Sequence, residues 1–418
     1  MTPEIDDTTD ENSPQSNTTD YTAQPVRNRS ARIMLANIPK AIMFDLQKRM
    51  IKLPRIHGKI RKRDLNTSHY VVSVNGKSVV VTRRDHKAPN FKQKKIPKTK
   101  SPIDNKGTYG PVRCSSNVTQ AEYYTPATSD VYAFDYALLQ APAAGLCSNT
   151  TQLLVFVLSH HSNKVRRMAT RNTWANISNS QRPAFMQKHA TIQEFKIVFV
   201  FGVHALAQKN RDLVQENQQY GDVLQMDFEE SYANLTLKAL AGLNWTHQHC
   251  PSVKYVMKID DDIFVNVPIL LQWLNEGQNT RMMAGYCISH SRARRSRYID
   301  PDDHWFVSCD DFPFAIYPPY AAGHGYVISS DLIGELLWMA NRIRPIRTED
   351  AYITGILRKA AGDVRLRCGS GFSAAGGDRR SRWDFPVTGK TYAVWNTRDM
   401  YMLWRYYLNY DEKVLQIQ

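Results

Sequence analysis

An α/β fold on a Rossmann-like, mostly parallel sheet is what this sequence predicts, and two observations predict it. From about Cys147 onward, continuous apolar runs alternate with amphipathic stretches, the rhythm of βαβ units. One of those runs, residues 253–257, leads into Lys258-Ile259-Asp260-Asp261-Asp262-Ile263-Phe264-Val265-Asn266. Three adjacent carboxylates thus arrive at the carboxyl end of a strand, where parallel sheets bind their ligands.

The elements follow in order. Residues 152–159 (QLLVFVLS) form an unbroken apolar run bounded by His160-His161-Ser162, as expected of a strand covered on both faces. A basic helical stretch spans 163–175, and 195–203 (FKIVFVFGV) is a second strand of the same kind. Residues 204–219 are polar and helix-like, and 222–226 make a short third strand. In the helix expected over 232–249, Leu235, Leu237, Ala239, Leu240, Leu243 and Trp245 give a face for the sheet, with Ser231 placed as its N-cap. The strand 253–259 then delivers the Asp triplet. In a parallel sheet this order brings the first strand-to-helix turn, residues 159–171, beside Asp260–Asp262.

The N-terminal third is different. Residues 1–113 hold 23 Lys and Arg against 10 Asp and Glu, and the remainder holds 31 against 29. Residues 1–20 are polar and read as disordered; basic runs follow at 57–63 and 92–100. Within this region Asn75-Gly76, between β-branched runs, predicts a hairpin over 70–82. Basic tracts bind nucleic acid or anionic membranes, but the Lys-rich part lacks the interleaved aromatics of single-strand binders. The expectation is a solvated stem over 1–145 and no nucleic-acid partner, followed by a catalytic domain over 146–418.

Eight Asn-x-Ser/Thr sequons occur, at Asn17, Asn28, Asn66, Asn117, Asn149, Asn176, Asn234 and Asn244. Six cysteines without a Cys-x-x-Cys pattern form an even set, which suits disulfides in an oxidising compartment and leaves 15 connectivities open. No stretch reaches the roughly 18 uninterrupted apolar residues of a membrane span; the best candidate, 33–51, contains Lys40, Asp45, Lys48 and Arg49.

The chemistry-bearing motifs each have two readings. The Asp triplet is an acidic turn or a site for Mg²⁺ or Mn²⁺, cations that bind through one or two carboxylates plus substrate phosphates. Arg167 and Arg171, four apart, share a helix face and present guanidinium forks to phosphate or to neighbouring carboxylates. Lys238 is a candidate partner for the acidic centre. The run Tyr317-Pro318-Pro319-Tyr320-Ala321-Ala322-Gly323-His324-Gly325-Tyr326 offers flat aromatic faces and open backbone for a sugar ring, or a turn and a core strand. Glu349-Asp350 open a helix, as capping carboxylates or as catalytic ones.

Together and in this order, these stretches resemble the β-1,3-galactosyltransferase family, family 31 of the glycosyltransferases. The matching motifs are Arg167-Met168-Ala169-Thr170-Arg171-Asn172-Thr173-Trp174, the Asp run before Phe264-Val265-Asn266, Tyr317–Tyr320 with Gly325-Tyr326, and Glu349-Asp350 with Gly355. The resemblance covers about residues 152–357 and implies a GT-A fold and inverting transfer of a sugar, galactose first, from a UDP-sugar to a glycan hydroxyl in β-1,3 linkage. It implies Asp350 as general base and Asp262 as ligand to Mn²⁺ or Mg²⁺. Arg167, Arg171, Asp260 and Asp261 would lie at the sugar nucleotide, and Tyr320, Gly323, Gly325, Tyr326 and Glu349 at the substrate. It further implies a type II protein of the Golgi membrane with a luminal enzyme, although no anchor is legible here. Two departures stand out. His324 sits between two glycines, and no His follows it where the family often places a metal-binding one. The alternative reading is therefore a weakened or inactive relative that binds UDP-sugar or a partner enzyme.

Overall fold

The computed structural model describes residues 69–74, 77–82, 114, 117–177, 194–277, 279–295, 304–373 and 385–410. The expectations for residues 1–68, including the apolar candidate 33–51 and the first basic run, lie outside them, as does that for the basic run 92–100. Among the described residues no helix is long and apolar enough to cross a membrane. Where the hairpin is expected, β1 (His69–Val74) and β2 (Lys77–Thr82) pair antiparallel, with Val74 opposite Lys77.

The main sheet contains β3 (Leu138–Gln140), β4 (Thr151–Leu158), β5 (Glu194–Val203), β6 (Val223–Glu229), β7 (Tyr255–Asp260), β9 (Met282–Ile288), β10 (Tyr320–Ser329) and β11 (Arg365–Cys368). Their spatial order is β11-β9-β10-β7-β4-β5-β6-β3. β7, β4, β5 and β6 are parallel neighbours. β10 runs antiparallel between β7 and β9, and β3 antiparallel on the far edge. A small second sheet pairs β8 (Ile263–Val265) with β12 (Thr391–Ala393).

Both faces of the central strands are covered, which is why they read as unbroken apolar runs. Leu154, Phe156 and Leu158 of β4 point into one core, shared with Leu237, Leu240 and Leu243 of the helix Leu235–His249. Leu153, Val155 and Val157 point into the other, with Leu270 and Leu274 of the helix Val267–Asn275 and Met400 and Leu403 of the helix Thr397–Leu408. Alternation along β4 is the two-residue period of a strand.

All six cysteines are paired, as Cys114–Cys309, Cys147–Cys250 and Cys287–Cys368, in line with the even set. The third bridge fastens β9 to its neighbour β11. The fold takes in residues before the expected boundary at 145/146. β3 pairs with β6, Cys114 is tied to Cys309, and the short helix Gln120–Tyr124 packs Tyr123 edge-on against Phe312 and Phe314. The expected basic helix is Lys164–Asn172, and the expected polar one is Ala207–Tyr220. Ser231 caps nothing with its side chain; a 3-10 turn, Tyr232–Asn234, precedes the helix that begins at Leu235.

Candidate active site

The Asp triplet straddles the end of β7, with Asp260 its last residue and Asp261 and Asp262 in the turn to β8. Val394 N–H donates to the Asp262 carbonyl (2.9 Å), fixing this turn to the chain beyond β12. The three side chains meet different surroundings. Asp261 is buried and well satisfied: Ser159 Oγ donates to its Oδ2 (2.7 Å), Asn163 Nδ2 to the same oxygen (2.9 Å) and Arg166 Nη1 to Oδ1 (3.0 Å). Arg166 Nη1 also reaches Asp262 Oδ2 at 3.3 Å. The Asp262 side chain is 39% exposed. Burial, then the negative charge of Asp260, pushes its carboxyl up to about 6.

Asp260 faces the other way, toward Lys258. This lysine is buried, and its ammonium donates to Asp260 Oδ1 (2.9 Å), pairs with Glu349 Oε2 (3.2 Å) and donates to the Gly323 carbonyl. Burial works against the charge, but Asp260 and Glu349 prevail and hold it above its ordinary value. One ammonium thus joins three elements: the end of β7, the irregular part of β10 and the turn before residue 351.

That irregular part is the run Ala322-Gly323-His324-Gly325, where the register of β10 on β9 shifts between Ala321 and Tyr326. The bulge frees Gly323 N–H to donate to Asp350 Oδ2 (2.8 Å), while Ala351 N–H donates to Asp350 Oδ1 (2.8 Å). A Cβ at Gly323 would lie 3.1 Å from Asp350 Oδ2, so a side chain there would push the carboxylate aside. Asp350 caps the π-helical segment Ala351–Leu357. Burial raises its carboxyl above the ordinary range against the opposing Lys258 charge.

The neighbouring Glu349 is buried and accepts from Tyr326 OH. Burial outweighs Lys258 and pushes its carboxyl up to about 7. This has a measurable consequence. The folded value lies above the ordinary carboxylate value of about 4.3, so protonated Glu349 stabilises the fold below that pH, and the contribution is lost as pH rises to about 7. Glu349→Gln holds the neutral form at all pH. The variant's urea midpoint minus that of the unaltered protein should therefore rise with pH across this window and level off above it. A difference independent of pH would contradict the buried, half-protonated carboxyl.

The structure brings Asp260, Asp261, Asp262, Gly323 and Asp350 together around the end of β7 and places the other expected residues away from that opening. Arg167 and Arg171 do not offer free forks to a nucleotide. Arg167 is buried, with Nε and Nη2 each 2.7 Å from Glu216 and Nη1 on the His160 carbonyl (2.8 Å) and Ser159 Oγ (3.2 Å). Arg171 is bidentate to Asp222 (2.8 Å to each oxygen) and reaches Glu216 at 2.8 Å. The Arg face of this helix meets the end of the helix Ala207–Tyr220, where Gly221 takes a left-handed φ of 66° as C-cap and turns the chain into Asp222. Protein carboxylates therefore occupy the donors meant for phosphate. Arg167 still acts on the site at one remove, through Ser159 to Asp261.

Tyr320, Gly325, Tyr326 and Glu349 are all buried: the first three lie on β10, inside the sheet between β7 and β9, and Glu349 lies just before the segment Ala351–Leu357. Within Tyr320–Tyr326 only Gly323 and His324 are partly exposed. Lys238 pairs with Glu230 and donates to the Ser159 carbonyl (2.9 Å), not to the Asp triplet. Three participants were missed. Arg166 lies one residue before the expected arginine, Lys258 opens the acidic motif, and Tyr232 opens the helix expected over 232–249. Tyr232 is 44% exposed, its ring 4.5 Å from that of His304. Burial, then the charges of Asp260 and Asp350, raises its phenol, placing it within the field of both carboxylates.

The oxygen donors fit a divalent cation shared with a diphosphate. Among the described residues no three His, Cys, Asp or Glu side chains converge into a protein-only cage. What is offered instead is Asp262, a carboxyl raised by burial and like charge, with Asp260 close enough to act on it. One or two carboxylates completed by substrate phosphates is how Mg²⁺ and related ions are commonly held.

The sequence pattern defining the Galactosyltransferase family matches residues 165–366. Beta-1,3-galactosyltransferase 5 of Pan paniscus is 32% identical over 228 residues, which cover 54% of this chain and 70% of the relative. The chain belongs to the galactosyltransferase family. The human form of that relative is 31% identical over 226 residues (54% of this chain, 68% of the relative). A human UDP-GalNAc:beta-1,3-N-acetylgalactosaminyltransferase 1 is 31% identical over 212 residues (50% and 60%). The galactosyltransferase match spans β4's exit helix through β11 and so includes every carboxylate of the site. The protein is a glycosyltransferase, and its mixed, mostly parallel sheet is the GT-A fold that the resemblance implied.

Proposed function

We propose that this galactosyltransferase-family protein is an inverting β-1,3-hexosyltransferase, moving a sugar, galactose first, from a UDP-sugar to a glycan hydroxyl. The observation that carries the reading is the buried Lys258 ammonium, which ties Asp260, at the carboxylate cluster, to Glu349, the neighbour of Asp350. It holds two acidic centres on one rigid frame, so that one can serve the leaving group and the other the nucleophile. The names of the relatives support the linkage: two of those quoted are β-1,3-galactosyltransferases and the third a β-1,3-N-acetylgalactosaminyltransferase.

In this mechanism Asp350 accepts the proton of the acceptor hydroxyl as its oxygen bonds to the anomeric carbon. The bond from that carbon to the diphosphate oxygen breaks on the opposite face, its electron pair leaving with UDP. Gly323 and Ala351 N–H groups fix the direction of the Asp350 carboxylate, and burial raises its affinity for the proton. Asp262 would hold Mn²⁺ or Mg²⁺, with Asp260 and Asp261 alongside the donor. When bound, such a cation neutralises charge developing on the diphosphate. The stem and the luminal, Golgi-membrane setting remain part of this proposal, with the three disulfides in keeping with an oxidising compartment.

The test is a donor screen of UDP-Gal, UDP-GlcNAc and UDP-GalNAc against simple β-linked acceptors with Mn²⁺ present. Transfer from one donor, lost in Asp262→Ala, is expected. Tight UDP binding with no transfer from any donor would instead establish the inactive-relative reading, which the absence of a His after His324 keeps open. Transfer undiminished in Asp262→Ala would remove Asp262 as the metal ligand.

A further inference from the structure

Arg166 occupies an unusual place. Its neighbour in sequence, Arg167, is buried among protein carboxylates, but the Arg166 side chain is 36% exposed and turned to the acidic turn. A single nitrogen, Nη1, lies 3.0 Å from Asp261 Oδ1 and 3.3 Å from Asp262 Oδ2. The two carboxylates differ in what else holds them. Asp261 is anchored by Ser159 and Asn163 whether or not Arg166 is present, whereas Asp262 is more exposed and meets Arg166 at the longer distance. The guanidinium therefore holds a positive charge against an Asp262 oxygen that a cation would also contact, on a side chain 36% exposed.

We propose that Arg166 is a tethered counter-ion that resists a divalent cation arriving alone and admits it together with the donor's diphosphate. This rests on the metal-held diphosphate reading above. With the diphosphate present, the displaced guanidinium gains phosphate oxygens that match its fork, and the metal gains oxygen ligands. With the metal alone, two cations compete for the same carboxylates. Cation and nucleotide are then coupled, each tightening the other, as linkage requires.

The experiment measures Mn²⁺ binding by the paramagnetic resonance signal of the free ion, with and without UDP. It compares the unaltered protein with Arg166→Gln, Arg166→Lys and Asp262→Ala. Melting curves confirm that each variant is folded. Without UDP, Arg166→Gln should bind Mn²⁺ about fivefold more tightly, the size of one close charge pair screened by water. The tightening of Mn²⁺ by UDP, about tenfold or more in the unaltered protein, should shrink several-fold in Arg166→Gln and be largely kept in Arg166→Lys. Unchanged or weaker Mn²⁺ binding in Arg166→Gln, while Asp262→Ala still abolishes binding, would overturn the counter-ion role and leave the site intact. Mn²⁺ and UDP binding unaffected by Asp262→Ala would overturn the site reading, and this inference with it.

Discussion

Replacing Asp350 with asparagine is expected to lower kcat by about 10²–10⁴-fold, the contribution of a positioned general base, with a much smaller change in KM. The substitution is nearly isosteric. With the amide oxygen on Ala351 N–H the cap of the segment Ala351–Leu357 is kept, while the amide nitrogen turns to Gly323 N–H, so the variant loses the proton acceptor and one of its two orienting hydrogen bonds. The pH profile supplies an independent check. Burial raises the Asp350 carboxyl, and only its ionised form accepts the acceptor proton. The acid limb of kcat/KM should therefore fall at a pH above that of an ordinary carboxylate. Steady-state kinetics by UDP release measures both. Activity in Asp350→Asn within threefold or so of the unaltered protein, far inside the range for a general base, would remove Asp350 from the proton transfer.

The largest effect on stability is expected from Glu216→Ala. Glu216 is buried and accepts three charged bonds, two from Arg167 at 2.7 Å and one from Arg171 at 2.8 Å. Removing it leaves Arg167 without its only carboxylate among the described ion pairs, held by Ser159, the His160 carbonyl and the Phe201 ring 5.0 Å away. Arg171 keeps Asp222 and the faces of Phe199 and Tyr220. Breaking one partner of a buried pair typically costs about 3–5 kcal/mol, because an uncompensated charge stays in a poor solvent. Urea denaturation should show a lower midpoint at unchanged slope. A loss below about 1 kcal/mol would place the network at the level of a surface ion pair and contradict its structural role.

These two residues show what sequence alone conveys. The parallel strands and the place of the Asp triplet were legible, because a strand buried on both faces is mostly apolar and a polar run marks its end. Asp350 was legible only through the resemblance, since an acidic first turn is ordinary chemistry at a helix start. The arginine pair was misread for a specific reason. Four-residue spacing puts Arg167 and Arg171 on one face, but nothing local says which neighbour that face meets. Glu216 and Asp222 lie 45 or more residues away, brought in by the helix Ala207–Tyr220. Arg166, about 100° around the same helix, was the residue turned to the site. Burial of the Tyr320–Tyr326 run was hidden for a related reason: β10 inserts antiparallel between β7 and β9, a pairing with no local signal. The bulge at Gly323 and the Lys258 bridge arise only once that pairing exists.

The central claim is that the frame joined by Lys258 moves a sugar with inversion into a β-1,3 linkage. The most direct measurement is proton NMR of the disaccharide formed from UDP-galactose and a GlcNAc-terminated acceptor by the purified protein with Mn²⁺. A new β anomeric signal, with a cross-ring correlation from its proton to position 3 of the acceptor, is the predicted result. An α anomeric signal, or a bond to another acceptor position, would contradict it.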